Sequence, residues 1–141
     1  MYDPYHVLFV DSDRDSCDLA KMMLEIDGFR CDTSQTANEA LKLLGLNTYS
    51  AVILEFRLPE ISGQELCKRI RRVDKLTPVI FFSASVRPFD RANGYDAGAT
   101  SYLIKPNDLE KLIPTTKKLI EQSADREGGI TAKTRRLPMA A

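Results

Sequence analysis

Short apolar runs alternate along this chain with longer segments in which apolar residues recur at helical spacing. The short runs predict five strands, at 7–10, 29–33, 51–54, 79–82 and 101–104. Such alternation is typical of repeated βαβ units. The pattern therefore predicts an α/β fold with a doubly wound parallel sheet, right-handed crossovers and helices on both faces.

Helix boundaries are marked by capping and breaking residues. The segments 36–39 and 62–65 each run from a hydroxyl residue to Glu, as a capping box does, and predict the starts of two helices. Pro88 suits the first turn of the fourth helix. The last helix is predicted from residue 107 or 108 to about 121 and contains Pro114. An interior proline removes a backbone hydrogen bond, so we expect a kink there or two separate helices.

The chain is long enough for one ordinary domain, predicted at residues 1–122. Its hydrophobic content of 43% and charged content of 28% are typical of soluble globular proteins. Helical periodicity ends near residue 122, and Gly128, Gly129 and Pro138 follow. We therefore predict a flexible C-terminal tail over residues 123–141.

Charge and composition exclude several classes of function. Twenty basic residues balance twenty acidic ones, so no overall charge favours nucleic acid or a membrane surface. Four basic residues within 68–72 are interpreted as a solvated helix face. No apolar stretch approaches the roughly 20 residues of a membrane span, and the N-terminus lacks a signal-peptide pattern. Cys17, Cys31 and Cys67 lack metal-site spacing and are interpreted as packing residues. We expect a cytoplasmic protein that binds neither nucleic acid nor membrane.

Charged and hydroxyl side chains follow four of the predicted strands. They are Asp11, Ser12 and Asp13 after the first strand, Glu55 after the third, Ser83 after the fourth and Lys105 after the fifth. In open α/β sheets, ligands bind at this carboxyl edge. Carboxylates, a hydroxyl and an amine placed together there indicate phosphoryl handling. The central carboxylate, however, belongs to a glutamate where this chemistry favours an aspartate.

Over residues 5 to about 122 the chain resembles the receiver domain of two-component response regulators, the CheY-like domains. Four fragments carry the resemblance: VLFVDSD, VILEFRLPEISG, PVIFFSAS and DAGATSYLIKP. The resemblance implies a flavodoxin-like (βα)5 fold with strand order 2-1-3-4-5. It also implies phosphoryl transfer from a kinase histidine to an aspartate at the end of the third strand. In the family, an acidic pair, that aspartate and one backbone carbonyl hold Mg²⁺.

The resemblance assigns roles to individual residues of this chain. Ser83 and Lys105 match the hydroxyl and the lysine that bind the phosphoryl oxygens. Tyr102 matches the aromatic residue that changes rotamer on switching. Asp11 matches the first member of the acidic pair, and Arg57 matches the position whose backbone carbonyl binds metal.

Two positions depart from the family pattern. Ser12 stands where a second acidic metal ligand is expected, and Glu55 stands where the phosphoacceptor aspartate is expected. Glutamate is one methylene longer, and a displacement of about 1 Å can cost roughly 100-fold in rate. Asp13 is better placed to cap the first helix than to replace the missing ligand. We therefore expect weak or absent Mg²⁺ binding at Asp11, Glu55 and Arg57, and no other cofactor.

Two interpretations of Glu55 follow, and the sequence leaves both open. In the first, Glu55 reaches Ser83 and Lys105 permanently and mimics the phosphorylated state. In the second, the site is inert and Glu55 only pairs with Lys105. Both interpretations predict a contact between Glu55 and Lys105.

The departures favour an atypical receiver, or pseudo-receiver, that is not an enzyme and signals through protein contacts without phosphorylation. The alternative is a functional phosphoryl-accepting response regulator of a histidine kinase system. The resemblance implies that partners meet the face formed by the fourth helix, fifth strand and last helix. Such partners are a histidine kinase, an output domain or a second copy in a homodimer. On this face we place Arg87, Arg91, Tyr102, Lys111, Lys117 and Lys118, with Asp90, Asp96 and Glu110.

Overall fold

Five strands and five helices alternate over residues 4–126, the part of the chain that the structure, a computed structural model, describes. In chain order they are β1 His6–Val10, α1 Arg14–Ile26, β2 Arg30–Ser34, α2 Ala37–Leu46, β3 Ala51–Leu54, α3 Gly63–Val73, β4 Val79–Ser83, α4 Pro88–Asp96, β5 Ser101–Ile104 and α5 Leu109–Arg126. Most of the predicted tail lies outside the described residues. The boundary at residue 122 stays a prediction.

The strands form one parallel sheet in the order β2-β1-β3-β4-β5. This confirms the predicted fold class and strand order. The central strand β3 is buried along its whole length, as its uninterrupted apolar sequence predicts for a strand covered on both faces. Because all five strands are parallel, their carboxyl ends lie at one edge of the sheet.

Side chains of β1 alternate between two hydrophobic cores. Leu8 and Val10 join buried residues of α2 and α3 on one face of the sheet. Val7 and Phe9 join buried residues of α1 and α5 on the other. Burial of each such side chain contributes about 1.5–3 kcal/mol, so the two cores fix the strand ends that carry the polar residues.

Capping side chains set where the first three helices begin around that edge. Asp13, Thr36 and Ser62 each accept a hydrogen bond from the backbone N–H three residues on, at 3.2, 3.1 and 3.0 Å. Pro88 is the first residue of α4. These contacts confirm the predicted caps, including the expectation that Asp13 caps the first helix.

The last helix is continuous through Pro114, so the two-helix alternative is wrong. An interior proline costs roughly 3 kcal/mol. The buried side chains of Leu112 and Ile120 contribute about 1.5–3 kcal/mol each and hold the helix against the sheet on both sides of the proline. The helix also begins and ends later than predicted, at Leu109 and Arg126.

Candidate functional site

An open pocket of about 620 Å³ lies at the carboxyl ends of β1, β3, β4 and β5. It is lined by Asp11, Ser12, Asp13, Ser16, Glu55, Arg57, Ala84, Ser85, Val86, Arg87, Asp90 and Lys105. The three acidic residues predicted for the site, Asp11, Asp13 and Glu55, are therefore at the pocket, together with Ser12, Arg57 and Lys105. Ser83 lies fully buried beside it.

Glu55 forms the centre of the pocket. Its Oε1 accepts a hydrogen bond from Lys105 Nζ at 3.0 Å. Its Oε2 accepts from the Ser83 hydroxyl and from the backbone N–H of Phe56 at 2.6 Å and of Arg57 at 3.3 Å. The predicted contact between Glu55 and Lys105 is confirmed. Both carboxylate oxygens are thus held by donors from three different segments.

Lys105 joins two carboxylates at the floor of the pocket. Its ammonium donates to Asp11 as well as to Glu55. Burial alone would lower the lysine pKa, but the hydrogen bonds and charges of Asp11 and Glu55 outweigh burial and raise the pKa above its usual value. Lys105 therefore stays protonated at neutral pH and neutralises part of the acidic cluster.

The two aspartates that follow β1 have different roles. Asp11 is buried, and its second oxygen, Oδ1, accepts from the backbone N–H of Asp13 at 2.9 Å. Asp13 is exposed, and its carboxylate accepts from the Ser16 hydroxyl at 2.7 Å as well as from the Ser16 N–H. The hydrogen bond from the Ser16 side chain is the main cause that lowers the Asp13 pKa. Asp13 is thus engaged at the helix cap.

These residues lack one acidic ligand of the implied magnesium site. Mg²⁺ requires oxygen ligands in near-octahedral geometry. All four carboxylate oxygens of Asp11 and Glu55 already accept hydrogen bonds, and Ser12 offers no carboxylate. Within residues 4–126, no group of three or more His, Cys, Asp or Glu side chains is arranged to hold a metal ion. The expectation of weak or absent Mg²⁺ binding stays a prediction.

A chain of hydrogen bonds connects Glu55 with Tyr102 through the loop of residues 84–87, the β4–α4 loop. Ser83 donates its hydroxyl hydrogen to Glu55 and accepts from the N–H of Ser85 at 3.0 Å. Tyr102 donates its hydroxyl hydrogen to the carbonyl of Ser85 at 2.7 Å. The ring of Tyr102 is only 2% exposed, and burial raises the pKa of its hydroxyl. The position of Tyr102 is therefore tied to that of the Glu55 carboxylate.

Gly94 of α4 provides the space for the Tyr102 ring. A Cβ atom at residue 94 would lie 2.9 Å from the Tyr102 ring and 3.1 Å from the ring of Phe81. Both distances are shorter than ordinary carbon contacts. Sequence reasoning missed this role, since a helical glycine gives no signal of the ring packed over it.

The side chain of Arg57 was also missed, because the sequence pointed only to its backbone carbonyl. Its Nε–H donates to the Ser85 hydroxyl at 3.0 Å. A signal did exist in the sequence. Arg57 and Ser85 each stand two positions after a site residue, Glu55 and Ser83, and these site residues lie at the ends of the neighbouring strands β3 and β4.

Only some of the residues predicted for the partner face lie exposed on it. Tyr102 is buried and does not lie on that surface. Lys117 pairs with Asp27, next to the end of α1, at 2.9 Å and so points away from α4. The exposed aromatic residues of α4 are Phe89 and Tyr95, 55% and 47% exposed. Asp90 is buried as well. The remaining predicted members are exposed: Arg87, Arg91, Asp96, Glu110, Lys111 and Lys118.

Comparison with known proteins agrees with this architecture. Residues 7–117 match the response regulator receiver domain family. The chain is 32% identical over 125 residues to the response regulator MprA of Mycobacterium sp. strain KMS, covering 89% of this chain and 54% of MprA. It is 31% identical over 124 residues to the transcriptional regulatory protein TrcR of Mycobacterium tuberculosis, covering 88% of this chain and 48% of TrcR. The chain thus spans about half the length of the curated relatives it matches.

Solved structures agree on the fold. The crystal structure of a CheY-like receiver domain protein from Methanospirillum hungatei JF-1 superposes with a TM-score of 0.83 at 22% identity, covering 88% of this chain and 99% of that one. In the described part of the chain, no helix is both long and apolar enough to cross a membrane. On its family match and its similarity to these regulators, the chain belongs to the response regulator receiver domains of two-component signalling.

Proposed function

We propose that this receiver domain is an atypical one that signals through protein contacts without accepting a phosphoryl group. One observation carries the proposal: Glu55 contacts both Ser83 and Lys105. These are the two residues that the family uses to bind phosphoryl oxygens. In this chain a carboxylate of the protein itself engages both of them.

The contacts favour the interpretation in which Glu55 mimics the phosphorylated state. An inert site needs only the pair with Lys105, whereas Glu55 also accepts from Ser83, which contacts the β4–α4 loop. A phosphoryl group carries nearly two charges and three oxygens. Glu55 has one charge and two oxygens, and the backbone N–H groups of Phe56 and Arg57 fix its position. The loop and Tyr102 are thereby held in one arrangement without a phosphodonor.

The partner in this proposal is a protein in the cytoplasm that binds the exposed surface of α4, β5 and α5. Exposed Arg91, Lys111 and Lys118 lie there with Asp96 and Glu110, and mixed charge of this kind suits a polar, salt-sensitive interface. A histidine kinase, an output domain or a second copy of the chain fits this description. The proposal includes no binding to nucleic acid or membrane.

A second candidate is a working phosphoryl-accepting receiver. It is favoured by the similarity to response regulators and by Asp11, which contacts the lysine of the pocket. In this candidate Glu55 would have to release Ser83 and Lys105 before either could bind a phosphoryl group.

Intact-mass measurement after incubation with acetyl phosphate and Mg²⁺ separates the two candidates. We expect no phosphoryl mass on the unchanged chain and little on Glu55→Asp, since Ser12 still leaves the metal short of a ligand. Glu55→Asp combined with Ser12→Asp should gain more. A phosphoryl group mapped to Glu55 of the unchanged chain would overturn the proposal.

A further inference from the structure

Ser85 receives contacts from three directions at the mouth of the pocket. Its N–H donates to Ser83, its carbonyl accepts from Tyr102, and its hydroxyl accepts from Arg57. The residue itself is only 9% exposed. The position of the β4–α4 loop therefore depends on all three contacts.

Two separate routes connect Glu55 with Ser85. The first runs through the buried hydroxyl of Ser83. The second runs through Arg57, whose backbone N–H donates to Glu55 at 3.3 Å and whose side chain donates to Ser85 at 3.0 Å. The second route runs between two residues of the pocket lining and involves neither Ser83 nor Lys105.

Electrostatics hold the Arg57 guanidinium at this place. Four carboxylates line the pocket, from Asp11, Asp13, Glu55 and Asp90, against three cations, from Arg57, Arg87 and Lys105. Arg87 pairs with Asp90 at 3.4 Å, and Lys105 pairs with Asp11 and Glu55. The pocket that Arg57 faces is therefore acidic. A positive side chain in its lining is attracted toward these carboxylates.

We propose that Arg57 is a positioning residue that latches the β4–α4 loop closed through Ser85 and so keeps Tyr102 buried. This inference rests on the proposed function, because it names a second element that maintains the conformation ascribed to Glu55. The hydrogen bond between Arg57 and Ser85 restrains the loop independently of the Ser83 hydroxyl. It favours the closed loop, in which Tyr102 is buried, over an open loop, in which Tyr102 is exposed. Phosphoryl chemistry and metal play no part in it.

The test reads the exposure of Tyr102 directly. The chain has five tyrosines, so fluorotyrosine labelling gives a small set of fluorine resonances, and a Tyr102→Phe change identifies the one required. A soluble gadolinium chelate broadens exposed tyrosines and spares buried ones. Arg57→Met and Ser85→Ala each remove the latch, because methionine has no donor where Arg57 Nε stands and alanine has no hydroxyl. Ser85→Ala keeps the backbone groups that contact Ser83 and Tyr102. Arg69→Met, at an exposed arginine of α3 outside the pocket lining, is the matched control.

We expect Arg57→Met to raise the open population roughly tenfold, as loss of a charge-assisted hydrogen bond worth about 1.4 kcal/mol does. Broadening of the Tyr102 resonance should rise accordingly. Ser85→Ala should give the same result, and the double variant should give no more than either single one, because all three lack the same contact. Arg69→Met should leave the resonance unchanged. Urea unfolding confirms that each variant is folded. Arg57→Met changes an exposed side chain and keeps the proposal testable if Ser85→Ala does not fold.

Unchanged Tyr102 broadening in Arg57→Met, or strictly additive effects of the two changes, would overturn the latch. Its failure is distinguishable from failure of the proposed function. If Glu55→Gln exposes Tyr102 while Arg57→Met does not, the latch is wrong and the role of Glu55 stands. If Glu55 acquires a phosphoryl group, the proposed function is wrong whatever the Tyr102 resonance shows.

Discussion

Glu55 and Lys105 form an ion pair of 3.0 Å between side chains that are only 12% and 19% exposed. The same ammonium also holds Asp11, whose side chain is 4% exposed. One cation therefore neutralises two largely buried carboxylates. Desolvated charges are costly unless they are paired, so the lysine is the member of the cluster whose loss should matter most.

We predict that Lys105→Met destabilises the domain by about 3 kcal/mol, because it leaves Asp11 and Glu55 facing each other without a cation. Glu55→Gln should cost only about 1 kcal/mol, since Lys105 keeps Asp11. The double change should be less destabilising than Lys105→Met alone. Urea unfolding at constant m-value measures these differences. Lys111→Met is the control, as its pair with Asp108 is exposed on the lysine side and contributes at most about 1 kcal/mol. Equal losses for Lys105→Met and Lys111→Met would contradict the prediction.

The magnesium prediction concerns the donor set of the pocket. Because Asp11 and Glu55 already accept hydrogen bonds at each oxygen, and Ser12 replaces an acid, calorimetric titration should show no tight Mg²⁺ binding. Glu55→Asp with Ser12→Asp should bind Mg²⁺ more tightly, since it shortens one carboxylate and adds another ligand. Ser12→Ala serves as the control and should change nothing. A dissociation constant in the low micromolar range for the unchanged chain would contradict the prediction, because Mg²⁺ would then replace these hydrogen bonds at little cost.

A pH-dependent loss of stability is predicted at the opposite end of the sheet. His6 lies 2.9 Å from Asp32, and Tyr49 donates to the same carboxylate oxygen at 2.7 Å. Burial is the main cause that lowers the His6 pKa; Asp32 raises it in part, while Arg30 and Lys21 lower it further.

Below a pH of about 6.5, the ordinary histidine pKa, the unfolded chain binds more protons at this residue than the folded chain. Stability from His6 is therefore present above about pH 6.5 and is lost as the pH falls through the lower folded pKa. His6 is the sole histidine, so His6→Gln should flatten the stability curve between about pH 7 and pH 5. Urea unfolding across this range measures the effect. If the slope of unfolding free energy against pH is unchanged in His6→Gln, the loss of stability comes from carboxylates and the prediction is wrong.

The packing of the Tyr102 ring against Gly94 can be tested by substitution. Alanine favours a helix over glycine by about 1 kcal/mol, but its Cβ would meet the Tyr102 ring at 2.9 Å, and overpacking costs about 1–3 kcal/mol. We expect Gly94→Ala to destabilise the fold modestly and to displace the ring. Adding Tyr102→Leu should recover part of the loss, which urea unfolding of the single and double variants would show. A more stable Gly94→Ala variant with Tyr102 still buried would contradict this account.

Sequence reasoning succeeded where the pattern is local. Strand order rested on resemblance, but the strand ends, the caps at Thr36 and Ser62 and the pocket edge follow from apolar runs and turn residues. Sequence reasoning failed where one side chain contacts several loops at once. Arg71, interpreted as part of a solvated face, instead donates to the carbonyls of Gly98 at 2.8 Å and Thr77 at 2.7 Å. Those acceptors lie far apart in sequence, so no local pattern predicts the contact.

The proposed partner surface can also be tested by reversing the charge of exposed residues on it. Arg91→Glu and Lys118→Glu change exposed side chains on α4 and α5. The fold should therefore persist, with unfolding free energies within about 0.5 kcal/mol of the unchanged chain. Self-association, measured by sedimentation velocity over a range of salt, should weaken in both variants if the partner is a second copy. If the partner is a histidine kinase, binding of the kinase dimerisation domain to the immobilised chain should weaken in the same two variants. Arg69→Glu, on α3 and paired with Glu65, is the control and should leave both unchanged. If the reversals at Arg91 and Lys118 do nothing while Glu55→Gln or Lys105→Met abolishes binding, the function lies in the pocket itself, and the domain is a receiver that switches state.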